Sequence, residues 1–75
     1  MSPYESLANA IVLNAVEDYR EALRILSLNP NNNFAAGEIK NIEKFFRSGY
    51  FRILTKLDPE MLINRLNSER KEARV

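Results

Sequence analysis

An all-α fold is predicted for this 75-residue chain: one long N-terminal helix packed against three shorter ones in a small bundle. Three observations predict it. Tyr4, Ala8, Ile11, Ala15, Tyr19, Ala22 and Leu26 recur at 4-3-4-4-3-4 spacing, which lays them along one face of a helix of 3.6 residues per turn. Helix-start signals stand at Ser2-Pro3, Ser48 and Asp58-Pro59. The two Gly and three Pro fall at the expected boundaries or, for Gly37, inside a first turn.

The first helix is expected over residues 3–28. Ser2 suits the N-cap and Pro3 the first helical position, because proline has no N–H to leave unpaired there. Leu7, Val12, Val16 and Leu23 widen the apolar stripe. Asn29 before Pro30 ends the helix, since the residue before proline disfavours the α region. The asparagine-rich run 29–33 then makes a tight reversal, and Asn32 or Asn33 can cap a second helix near 34–47. Its apolar face is Ala35, Ile39, Ile42 and Phe46, with Phe45 beside it, and Glu43→Arg47 forms an i,i+4 pair in the favourable order. Ser48 is a candidate cap for a short helix over about 49–55; Gly49, just after it, is equally suited to ending the second helix. Asp58, Pro59 and Glu60 start a fourth helix near 59–70, with Leu62, Ile63 and Leu66 as its stripe. Residues 69–75 are mostly charged and are expected to fray.

Composition removes several functions. With no Cys and no His, disulfides, thiolate metal sites, zinc chemistry and Ser-His-Asp or Cys nucleophile machinery are all excluded. No cofactor is expected, and no enzyme. The opening residues lack a basic segment followed by an apolar run, and no apolar stretch approaches the ~20 residues of a membrane span, so a soluble cytoplasmic protein is expected. The formal charge of +1 gives no global pull toward nucleic acid. Its distribution is uneven: residues 1–30 hold two Arg against four acids, whereas residues 31–75 hold nine Lys or Arg against six acids.

A single domain this small buries only about 60% of its unfolded surface, which leaves oligomerisation as the remaining stabilising device. The first helix spans ~39 Å against ~21 and ~18 Å for the second and fourth, so one end of its stripe stays uncovered. Leu13 sharpens the point, since it shares the otherwise polar face with Glu17, Arg20 and Arg24. A homodimer through helix one is expected, with Leu7, Ile11 and Leu13 as its self-association residues.

The candidate partner surface lies in the block 45–59, which packs four of the seven aromatics around two helix starts. Phe46 and Phe51 are assigned to the core. Lys44, Phe45, Arg47, Tyr50 and Arg52 remain as partner-binding residues, half-exposed tyrosine being suited to interfaces that are apolar at one end and wet at the other. Lys40, Lys44, Arg47 and Arg52 also form a basic ridge, which carries the alternative reading of a small nucleic-acid-binding regulator. Glu38 and Glu43 interrupt that ridge. A helix-turn-helix over 48–67 would present Asp58 and Glu60 to phosphate, leaving Asn64, Arg65 and Asn67 to read bases, and is disfavoured. Glu17, Asp18 and Glu21 sit beside Arg20 and Arg24, which points to an ion-paired surface in preference to a metal or acid/base site.

Residues Ile42-Glu43-Lys44-Phe45-Phe46-Arg47-Ser48, with Tyr50-Phe51, Leu54-Thr55, Leu57-Asp58 and Leu62-Ile63, carry a resemblance. So do Tyr4-Glu5, Leu7 to Val12, Ala15-Val16 and Asp18 to Arg20. Over about residues 4–66 the chain resembles small uncharacterised proteins encoded in phages and prophages of Gram-positive bacteria. In that pattern an acid and an aromatic follow the Ser; Gly49-Tyr50 keeps the aromatic alone. The resemblance implies a phage setting, in which such proteins act as regulators, inhibitors of host or defence proteins, or accessories of DNA metabolism. It brings no catalytic motif. The expected function is therefore stoichiometric binding of a host or phage protein.

Overall fold

The computed structural model describes residues 2–73, with side chains described as far as Glu69. Four helices follow in order: α1 (Pro3–Leu28), α2 (Asn33–Phe46), α3 (Gly49–Leu54) and α4 (Pro59–Ala73). The all-α architecture of one long helix against three shorter ones is as the sequence predicts. The longest dimension, 40 Å, is the length of α1 itself.

Each start is built by the cap read from the sequence. Ser2 Oγ accepts the Glu5 N–H at 3.2 Å, Asn32 Oδ1 the Ala35 N–H at 3.0 Å, and Asp58 Oδ1 the Glu60 N–H at 2.9 Å. Asn32, and not Asn33, is the cap of α2, so this helix begins and ends one residue earlier than expected. The Asn29 side chain accepts the Asn31 N–H at 3.3 Å inside the reversal, the local bond that makes asparagine a turn residue. Helix α3 stops at Leu54, because Thr55 is extended. Helix α4 runs to Ala73, past the expected end near residue 70; of the segment expected to fray, 69–73 is helical, and residues 74–75 lie outside the described residues.

The core joins Val12, Val16, Tyr19 and Leu23 of α1 to Phe46, Phe51, Ile63 and Leu66. Ile39, Ile42, Phe45, Leu54 and Leu62 pack partly against it. This shifts the phase of the expected α1 stripe. Its first member, Tyr4, is 86% exposed, and Leu7 is 63% exposed, while Val12, Val16 and Leu23, taken as flanking residues, are buried. The physical reason is reach. The shorter helices cover α1 only from about its third turn onward, so inward placement is decided by what lies opposite and not by the length of the repeat.

Tyr19 has no exposed surface, yet carries a hydroxyl that must find a partner. It donates to Glu43 Oε2 at 2.7 Å and accepts from Asn67 Nδ2 at 3.0 Å. The same Asn67 amide also donates to the Ile63 carbonyl at 2.8 Å. One phenol thus ties α1, α2 and α4 together. Burial first, and then the bond to Glu43, push its pKa up to about 12.

Candidate functional site

The corner between α2 and α3 is held by one serine. Ser48 Oγ donates to the Phe45 carbonyl at 2.6 Å and accepts the Phe51 N–H at 3.2 Å, so the last turn of α2 and the first of α3 share a hydroxyl. Around it the rings pack edge to face: Phe46–Phe51 at 5.4 Å, Phe45–Phe51 at 5.7 Å and Phe45–Tyr50 at 6.2 Å between centroids. Phe46 and Phe51 are fully buried, as assigned from the sequence. Phe45 is half-buried and forms the floor against which Tyr50 stands at the surface.

The structure brings Phe45 and Tyr50 together and gives Arg47 another task. Its guanidinium grips Glu60 of α4 with two bonds, Nε to Oε2 at 2.7 Å and Nη2 to Oε1 at 3.0 Å, and Nη1 lies 3.6 Å from Glu43 Oε1. The predicted Glu43–Arg47 pair is therefore present but is the weaker of two. Arg47 holds the Glu60 carboxyl below its ordinary range. A cation so engaged anchors α4 to α2, and the basic ridge loses its middle member. Lys40, Lys44 and Arg52 are exposed and form no ion pair among the described residues.

Sequence reasoning missed the apolar residues beside this corner. Ile53 is 80% exposed, Met61 71% and Leu57 54%; they join Tyr50, which the sequence already offers as a contact residue and which is 53% exposed. A six-residue helix can turn only one side inward, and Phe51 takes that side of α3. Tyr50 and Ile53, three apart, share another side and remain in solvent. That shortness of α3 is the signal that pointed outward in the sequence. The Tyr19–Glu43–Asn67 network was missed as well; a tyrosine in an otherwise apolar stripe was its signal, since a buried hydroxyl demands a partner. The same network turns Asn67 inward, away from the base-reading role weighed for it.

At the other end of α2, an open groove of about 290 Å³ lies against α1. Ala22, Ile25 and Phe34 form its apolar lining, and Asp18, Glu21 and Glu38 edge it. Glu21 is paired with Arg24 at 2.6 Å, an ion pair within the expected cluster; Arg20 instead crosses to Glu69 of α4 at 3.0 Å. Of the expected self-association residues, Leu7 and Leu13 are exposed and Ile11 is half-buried. No described helix is long and apolar enough to cross a membrane.

Compared with protein-family models, curated proteins and solved structures, the chain has no significant match among them.

Proposed function

We propose that this protein acts without catalysis, by stoichiometric binding of another protein through the face built on α3. The observation that carries the reading is the exposure of Tyr50, Ile53, Leu57 and Met61, four large apolar side chains within one twelve-residue stretch of a domain whose core is otherwise small. Exposed apolar groups in such density are typical of a contact surface. Lys44, Arg52 and Lys56, all exposed, border it in sequence and favour a partner with carboxylates around an apolar centre. Phe45 supports Tyr50 from below, and Arg47 positions α4 beside it. A phage or prophage setting in the bacterial cytoplasm rests on the resemblance over residues 4–66 alone.

Affinity capture from induced host cells, run in parallel with the wild-type chain and Ile53→Glu, tests this. The expected result is a protein retained by the wild type, lost with the variant, and bound at equal stoichiometry when purified. Retention of the same proteins by both baits overturns it. The lesser reading, a nucleic-acid-binding regulator, draws on the exposed Lys40, Lys44 and Arg52, which form no ion pair among the described residues. It requires a mobility shift with random-sequence DNA or RNA that fades steeply with salt.

A further inference from the structure

The outer face of α1, opposite the buried Val12–Val16–Tyr19 side, changes character along its length. From Ser6 to Val16 there are eleven consecutive residues without a charge. Within that run Ser6, Leu7, Ala10, Leu13 and Asn14 are exposed and fall within about 120° of the helix circumference. Leu7 and Leu13 keep 63% and 59% of their surface in solvent. Beyond them the same face carries Glu17, Glu21 and Arg24. An isolated surface helix has no reason to shed charge over three turns; depletion of charge around apolar anchors is the composition of an interface centre.

We infer that this face binds a second copy of the chain, with the two α1 helices antiparallel and crossing at Ala10. The inference uses a different surface from the α3 reading and stands without it. In this register Ala10 meets Ala10, whose small side chain lets the backbones approach. Leu7 then meets Leu13 of the other copy, twice by the two-fold symmetry, and Ser6 meets Asn14. Charge selects this arrangement over a parallel one. A parallel pair would place Glu17 against Glu17. The antiparallel pair brings Glu17 opposite Pro3, at the positive N-terminal end of the other α1 helix. Glu17 has no ion pair among the described residues, so it is available for that contact. Ile11, half-buried on the inner side, is not needed. A contact of a few turns on one helix is small, which sets the expected dissociation constant in the micromolar range.

Sedimentation equilibrium over a concentration series tests the pairing. The wild type should pass from 8.7 kDa to twice that mass. Leu7→Glu should raise the dissociation constant by about a hundredfold or more, because symmetry repeats the substitution. The double variant Leu7→Glu/Leu13→Lys should recover the dimer, since only the antiparallel register sets these two positions against each other. As the chain has no Cys, Ala10→Cys should cross-link to a dimer under mild oxidation. Both leucines are exposed, and unchanged circular dichroism would show that the variants fold. A mass of 8.7 kDa at millimolar protein overturns the inference, and so does a folded Leu7→Glu/Leu13→Lys chain that stays monomeric while the wild type dimerises.

Discussion

The two halves of α1 obey the same local rules and meet different surroundings. Toward its C-terminus, Val16, Tyr19, Ala22 and Leu23 are buried beneath α2 and α4, and the outer side is charged. Toward its N-terminus, Tyr4 and Leu7 repeat the same apolar spacing in open solvent. Spacing made the helix; only the covering helices decided which residues became core. The first two turns, ahead of the buried Val12, therefore contribute little to the fold as a monomer and are left available for association.

Leucine-to-alanine changes along this one helix break the comparison most directly. Leu23→Ala, in the core, should cost about 2–5 kcal/mol in denaturant unfolding. Leu7→Ala, measured in dilute protein, should stay within ~0.5 kcal/mol. Equal costs at the two sites would mean that the first two turns are packed after all.

Tyr19→Phe comes next. It keeps the ring and removes the hydroxyl that Glu43 and Asn67 share, for an expected loss of about 1–3 kcal/mol. The pH dependence has a definite sign. Folding raises the Tyr19 pKa from 10.0 to about 12, so its protonated form is favoured in the folded state. That stability is complete below pH 10 and is lost as pH climbs toward 12. The wild type should lose stability more steeply than Tyr19→Phe across this window. In a tyrosinate absorbance titration, Tyr19 should ionise late, and that late phase should vanish in Tyr19→Phe.

Gly37→Ala should stabilise by about 0.5–1 kcal/mol: the position is inside α2, its φ is not positive, and a Cβ there meets nothing within 4 Å. The smallest effect on stability is expected for Ile53→Glu, which should leave the melting temperature nearly unchanged while abolishing partner capture.

Much of this was legible in the chain. Ser2, Ser48 and Asp58, and the Asn32-Asn33 pair without choosing between its members, mark their helix starts because a capping side chain acts on an N–H two or three residues ahead. Phe46 and Phe51 were assignable to the core by periodicity. What spacing does not encode is which turn of α1 has a neighbour, and this is why Tyr4 was read as part of the stripe. Nor does it encode a contact between distant residues: that Arg47 reaches Glu60, or that Tyr19, Glu43 and Asn67 converge, follows only once three helices are placed. The exposed Ile53, Leu57 and Met61 escaped for a related reason, since burial belongs to the assembly and not to the side chain.

Helix α4 is fastened differently from the others. Beside Ile63 and Leu66 it is held at its start by Arg47–Glu60, midway by Asn67–Tyr19 and further on by Arg20–Glu69. The two flanking ties are solvent-exposed ion pairs that salt weakens, whereas α1 and α2 are joined by a short turn and the shared aromatic core. The molecule should therefore open in a fixed order. In native-state amide exchange, α4 should unlatch at lower free energy than the α1–α2 hairpin, and added salt should widen that gap. Such a detached state would take Ile63, Leu66 and the Asn67 amide away from α1 while Tyr19 stays against Phe46 and Glu43 of the persisting hairpin, giving this small fold a hinge that its closed form conceals.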